Sequence, residues 1–378
     1  MAEPTEIDVK AFNGKALRVA RTFRGLTVSE LADNARVSRQ IVSSIENESM
    51  HPFRPMLLAI ADALQFPLRF FFRAPVLPPR DAFHFRRGAR VTLQELERAR
   101  AHAALFGRVT ETFGTFAKFS KSKLPKVPLP RSDDDVESGA EKFRAAIGFR
   151  LDSPIAHCVR AAEAAGVFVG KFDTGSMPIH GFACAEPVAL LMLKSDAVWS
   201  RRRFSTMHEV GHLTMHGTVR GALTNDNGID RDMESQADRF AGAALVPRVA
   251  FWREFPRPRG QFDWPSLIGM KQRWGVSVQA LVHRAYDLKI INAIEYRTAN
   301  IHITKQGWKT AEPGEAEAEE PELCAAFVEQ LRKRASVADL CARSELSSEV
   351  VSTVLSISIE EQIDQSEVIK LPGGPKRK

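Results

Sequence analysis

Met207-His-Glu-Val-Gly-His212, set inside the longer run Arg202-Arg-Phe-Ser-Thr-Met-His-Glu-Val-Gly-His-Leu-Thr-Met-His216, is the stretch whose reading decides the fold. It is a His-Glu-x-x-His element in an apolar segment, and residues four apart share one face of an α-helix. His208 and His212 can therefore aim imidazole nitrogens at a single metal, with Glu209 beside them to handle a metal-bound water. Zinc is the expected occupant, because it takes imidazole nitrogen and carboxylate oxygen in tetrahedral sites and has no redox chemistry. A catalytic site keeps one coordination place for water, so three protein ligands are needed and a third must be found.

The best candidate is Glu234, in the first turn of a second predicted helix, Glu234-Ser-Gln-Ala-Asp-Arg-Phe-Ala-Gly-Ala-Ala-Leu-Val-Pro247. Alanines, Phe240 and Leu245 give that helix a close-packing apolar face, and Pro247 ends it. Asp238 lies one turn after Glu234 on the same side, where it can orient a ligand histidine by accepting the other ring N–H. His216 also shares the helical face and is the rival third ligand; Glu234 is preferred, which leaves His216 a packing residue or an indirect support of the site. Thr218 stands where the longer metzincin motif would need its third histidine.

These two runs resemble the ImmA/IrrE family of bacterial metallopeptidases over about Val136 to Pro258. The family is zinc-dependent and cuts repressor-type transcription factors. The resemblance implies zinc ligands His208, His212 and Glu234, with Glu209 as general base on a zinc-bound water and as proton carrier to the leaving amine. The family's usual Asn is Asp238 here, which keeps an acceptor and changes its charge. The residues identify no donor for the oxyanion; His180 and His216 are the only guesses they offer.

A second signal opens the chain. Leu17, Val19, Ala20 and Phe23 recur at helical spacing up to Gly25. Thr27-Val-Ser-Glu30 reads as a capping box, starting a short helix with Leu31 and Ala32 inward. Ser38 caps the next helix, Arg39 to Asn47. There Ile41, Val42 and Ile45 turn to the core, and Arg39, Gln40, Ser43 and Ser44 turn outward. Pro52 to Phe72 supplies two closing helices. This segment resembles the XRE (Cro/repressor-type) helix-turn-helix domain over about residues 13–73, including Ser-x-Ile-Glu-Asn at 43–47. The resemblance implies that the third helix enters the major groove of operator DNA, where Arg reads guanine and Gln reads adenine. Arg39, Gln40, Ser43 and Ser44 are the implied DNA contacts. Against them, Glu30, Asp33, Glu46 and Glu48 are expected near the reading surface. XRE-type modules often pair, so a homodimer is expected.

At 378 residues the chain can hold two or three domains with sizeable cores. A net charge of +7 permits a nucleic-acid partner. Basic residues concentrate at Arg69, Arg73, Arg80, Arg86, Arg87, Arg90, Lys118, Lys121, Lys123 and Lys126, a density that suits phosphates or a solvated face equally. Cys158, Cys184, Cys324 and Cys341 lack metal or redox spacing and read as reduced, mostly buried thiols. The amino terminus lacks the features of a signal peptide, and no apolar run approaches the ~20 residues of a membrane span. The expectation is a cytoplasmic protein with no membrane partner.

The predicted class is mainly α with a small β-sheet (α+β). The helix-turn-helix domain (13–73) is followed by a connecting helix from Thr92 to Phe116 and a linker (74–135). A zincin-like metallopeptidase domain (136–306) comes next, then an acidic linker, a small helical region and a disordered tail (307–378). Helices are expected near Val136–Ile147 and Ile155–Ala165, after the acidic linker Asp133-Asp-Asp135, with strands at Gly166–Val169 and Val188–Leu193. Leu267–Leu288 reads as a further helix-turn-helix-like element or a packing unit, Glu312–Pro321 as a flexible linker, and Leu323–Leu331 and Val337–Leu355 as helices. The functional expectation is a DNA-binding transcription regulator with a zinc endopeptidase domain that cleaves a repressor-type protein. Two alternatives stand: a non-proteolytic regulator whose peptidase-like domain senses a metal or metabolite, and the antitoxin of a toxin–antitoxin pair.

Overall fold

A computed structural model describes residues 11–78, 80, 92–119, 122–172, 181–186, 188–217, 229–333 and 335–359, with backbone alone for 229–231. Arg86, Arg87, Arg90, Lys121, His180, Thr218 and the expected disordered tail lie outside the described residues. The class is the expected one, helices with one small sheet.

The amino-terminal unit comprises α1 (Gly14–Phe23), α2 (Val28–Asn34), α3 (Arg39–Glu46) and α4 (Arg54–Leu64), closed by a 3-10 turn at Leu68–Phe72. Local chemistry explains its sharp corners. Thr27 and Glu30 form the reciprocal capping box at the start of α2, and Ser38 accepts from the Ile41 amide at the start of α3. Leu17, Leu31, Val42, Ile45, Leu57 and Ile60 are buried together. Glu46 is not on the reading surface. It is buried, and its carboxylate accepts from Arg21 Nε at 2.5 Å and Nη2 at 2.9 Å, because a carboxylate facing the core persists only when paired.

The helix read as a connector, α5 (Leu93–Phe113), is instead a core element. Most of its length is buried, and one apolar cluster joins it to the amino-terminal helices, the sheet and the carboxy-terminal helices. Its alternation of alanines with Leu105, Phe106, Val109 and Phe113 lets neighbours pack on more than one side.

The central part runs through α6 (Asp133–Ala146), α7 (Cys158–Ala164), β1 (Phe168–Phe172), β2 (Gly181–Cys184), β3 (Leu190–Lys194), α8 (Trp199–Gly211), α9 (Ile229–Leu245), α10 (Arg248–Glu254), α11 (Trp264–Trp274), α12 (Val278–Asp287) and α13 (Ala293–Lys305). The Asp133–Asp135 run, expected as linker, is the first turn of α6: Asp135 closes a capping box with Ser132, and acidic groups suit a helix amino terminus. The sheet order is β1-β3-β2, with β1 parallel and β2 antiparallel to β3, which leaves β2 at an edge. β2 is four residues of Gly-Phe-Ala-Cys, too short for a periodicity signal. Among the described residues no helix is long and apolar enough to cross a membrane.

The acidic stretch expected to be flexible is a pinned strap. Glu312 accepts from Lys271 Nζ at 2.6 Å and from the Val278 amide of α12 at 2.9 Å. Glu315 accepts from the Ser200 amide and hydroxyl of α8 at 2.9 and 2.7 Å, and also pairs with Lys271. Glu319 pairs with Arg203 and accepts from the amides of Cys158 and Val159. Composition suggested solvation, but buried cations elsewhere in the chain supply partners for these carboxylates.

The strap leads into α14 (Leu323–Leu331), α15 (Val337–Ser344) and α16 (Ser348–Leu355). Residues 336–355 repeat 27–46: Ser336-Val-Ala-Asp-Leu340 matches Thr27-Val-Ser-Glu-Leu31. Each segment opens with a capping box, and Ser347 caps its second helix as Ser38 does. Arg36 and Glu345, at matching places in the turn, both have φ of 55°. Ser348 and Glu349 stand where Arg39 and Gln40 stand in the first copy, and Glu349 is held by Arg24 at 2.7 Å. The second copy therefore packs, and its second helix carries no cation.

Candidate metal centre

Two helices make the site, and a glycine sets their distance. Gly211 lies between Glu209 and His212, where an added Cβ would come within 3.0 Å of the Phe240 ring of α9. Lacking one, α8 and α9 approach closely enough for side chains of both to share one point. After Gly211 the helix widens into a π turn over His212–His216, a local distortion frequent at functional sites.

His208 Nε2 and His212 Nε2 are 3.1 Å apart. Glu234 Oε1 is 3.1 Å from His212 Nε2, and Oε2 is 3.5 Å from His208 Nε2. For bonds of ~2.0–2.1 Å to a tetrahedral zinc, the ligand–ligand edges are about 3.3–3.4 Å. The three donors thus stand at separations that fit such an ion, and all three residues are buried. Glu209 is buried beside them; a Cβ on Gly181, the first residue of edge strand β2, would lie 3.6 Å from its Oε1. Buried acids favour a cation here. Burial alone would lower the His208 pKa, but Asp238 and Glu234, with the Glu209 charge, raise it to about 10.

The outer faces of both imidazoles are held. His208 Nδ1 lies 2.9 Å from Asp238 Oδ1, an arrangement that fixes ring orientation and turns Nε2 to the centre. His212 Nδ1 lies 3.0 Å from His216 Nδ1, and His216 Nε2 lies 2.9 Å from Gln236 Oε1. Burial lowers the His212 pKa well below its ordinary value and brings that of His216 down to about 4. Both ring nitrogens of His216 are engaged behind His212, so it does not converge with the other three donors. Sequence reasoning missed Gln236; its place two residues after Glu234, turned toward α8, was the available signal.

The DNA-contact candidates sit together on α3. Arg39 and Gln40 are exposed in its first turn, and Ser43 and Ser44 are half-exposed one turn on.

Residues 162–286 match the family model of the IrrE N-terminal-like domain, an M78 peptidase family. Residues 17–71 match a helix-turn-helix model. The head is also similar to the transcriptional regulator ClgR of Mycobacterium tuberculosis, in two strains, at 43% identity over 60 residues, which is 16% of this chain and 54% of ClgR. The chain thus spans about half the length of the curated relatives it matches. A helix-turn-helix domain and an IrrE-like M78 domain are joined in this chain.

Proposed function

We propose that this protein is a DNA-binding transcription regulator whose M78 domain is a zinc-dependent endopeptidase acting on a repressor-type protein. The observation that carries the reading is the convergence of His208 Nε2, His212 Nε2 and Glu234 at 3.1–3.5 Å with Glu209 alongside. His208, His212 and Glu234 would hold the metal, which when bound would supply Lewis acidity toward water and the scissile carbonyl. Glu209 takes the proton of the attacking water and hands it to the leaving amine nitrogen. Its burial against Gly181 keeps the carboxylate close to the chemistry and away from bulk water. Asp238 and His216 keep the two imidazoles aimed. In the head, α3 reads operator bases through Arg39 and Gln40, with Ser43 and Ser44 as shorter contacts.

The test is co-expression with repressors encoded nearby. Wild type is expected to cleave one of them, and Glu209→Gln to keep its zinc and leave that partner intact. Cleavage undiminished in Glu209→Gln overturns the mechanism. Zinc-loaded wild type that cuts no partner while still footprinting DNA favours a regulator that senses metal without hydrolysis.

A further inference from the structure

The two candidate ligand histidines are backed in different ways. His208 Nδ1 meets the Asp238 carboxylate, which accepts only and so seats a proton on Nδ1, leaving Nε2 for a cation. His212 Nδ1 instead meets another imidazole nitrogen, Nδ1 of His216, at 3.0 Å. That contact alone does not say which ring donates. On its other edge His212 Nε2 has a Glu234 carboxylate oxygen 3.1 Å away, an acceptor that by itself would seat the proton on Nε2 and block a metal bond there.

A backbone carbonyl further out supplies the direction. Gln236 Nε2 donates to the Pro130 carbonyl at 3.3 Å. A peptide oxygen can only accept, so the Gln236 amide presents its NH2 to Pro130 and turns Oε1 to His216 Nε2, 2.9 Å away. Oε1 also accepts only, which requires the proton of His216 on Nε2. His212 and His216 are 1% and 0% exposed, where an extra ring proton is costly, so each ring keeps one. His216 Nδ1 is then bare and accepts from His212 Nδ1–H, and the lone pair of His212 falls on Nε2. The anchor itself is fixed: Pro130 is buried, and in the same segment the Val127 amide donates to the Thr214 carbonyl of the π turn at 3.2 Å.

We propose that Gln236 is a positioning residue for the metal centre. Anchored by the Pro130 carbonyl, it acts through His216 to hold the His212 proton on Nδ1 against the pull of Glu234, so that Nε2 meets the metal as a lone pair. This rests on the zinc reading above. No net charge moves along the chain of contacts; only the seat of each proton is fixed. The amide uses both of its ends, which an apolar side chain cannot do and a carboxylate does only toward His216.

The experiment uses the full chain as wild type, Gln236→Met, Gln236→Glu and Glu209→Gln. Ring-nitrogen NMR of the ¹⁵N-histidine-labelled, chelator-treated protein reads which nitrogen carries each proton, and chelator competition reads zinc affinity. Wild type is expected to show Nδ1–H on His212 and Nε2–H on His216. Gln236→Met, which removes the acceptor, should move the His212 proton to Nε2 and weaken zinc about 3- to 10-fold, below the ~10–100-fold of a partner that touches the ligand directly. Gln236→Glu keeps the acceptor and should keep the wild-type proton seats, with zinc bound no more weakly than in wild type. A role in packing alone would leave the proton seats where they are. His212 protonated on Nε2 in wild type, or unchanged proton seats and zinc affinity in Gln236→Met, overturns the proposal. Should zinc-loaded wild type cut no repressor, the peptidase reading falls by itself, and the proton seats and zinc affinities still decide the role of Gln236. Cleavage lost in Glu209→Gln beside a Gln236→Met protein identical to wild type in both readouts removes the relay and leaves the peptidase.

Discussion

Glu319 and Arg203, 5% and 2% exposed, form an ion pair across 116 residues of sequence, clamping the strap onto α8, the helix that carries His208 and leads into His212. The same carboxylate accepts from the Cys158 and Val159 amides at 2.7 and 3.1 Å. Removing one partner of a buried pair strands the other charge in a low-dielectric interior, a loss of about 3–5 kcal/mol. Glu319→Gln is therefore expected to lower unfolding stability by ~3 kcal/mol or more. Glu317→Gln, at an exposed position on the same strap, should stay within about 0.5 kcal/mol of wild type. Urea midpoints at constant m-value make the comparison, and equal midpoints for the two variants refute the clamp.

Asp238 Oδ1 lies 2.9 Å from His208 Nδ1, so at the proposed metal site it would act on the metal through that imidazole. Loss of an orienting carboxylate typically weakens metal binding 10–100-fold. Asp238→Ala should do so in a chelator competition, and Asp238→Asn, which keeps an acceptor, should lose less. Gln236→Ala, one imidazole further out, should lose least. Zinc affinity unchanged in Asp238→Ala would mean that the contact orients nothing the metal needs.

Much of this was legible because the information is local. The capping box at Thr27 lies within four residues of sequence, and the His208–His212 spacing is a single helical turn. What escaped reading depends on residues far apart. Nothing near Glu312–Glu319 announces Lys271 or Arg203 as partners, so the strap read as solvated. Glu46 looked exposed because Arg21, which neutralises it, lies 25 residues away. Strand β2 is shorter than any periodicity can mark. The likeness of 336–355 to 27–46 is visible in sequence only when the two are laid together, since Ser348 and Glu349 stand where Arg39 and Gln40 stand and only the caps and apolar spacing agree.

Arg39 is exposed in the first turn of α3, and the proposed base contact would use a bidentate guanidinium–guanine geometry that alanine cannot offer. A contact of that kind discriminates by about 1–3 kcal/mol. Arg39→Ala should reduce specific affinity roughly 5- to 150-fold at fixed salt and leave affinity for random-sequence DNA nearly unchanged. Equal loss on operator and random DNA would instead make Arg39 a phosphate contact.

His102 supplies the pH dependence. Its ring packs 4.6 Å from that of Phe23, where α5 meets α1, and its buried Nδ1 has no hydrogen-bond partner. Burial, with the nearby Arg98 charge, pushes its pKa down to about 4 from 6.5. The unfolded chain therefore binds the proton more readily than the folded one. The stability from keeping this ring neutral is fully present above pH 6.5 and is lost as pH falls through about 4, with an upper size of ~3 kcal/mol at 1.36 kcal/mol per pKa unit. His102→Leu removes the titrating group and keeps an apolar contact, so its stability should fall less steeply between pH 6.5 and 4 than that of wild type. His212 and His216 titrate in the same direction, but they are common to both proteins, and the difference between the two curves belongs to His102. Parallel curves over that window would show that water or a local opening reaches the ring before the fold gives way.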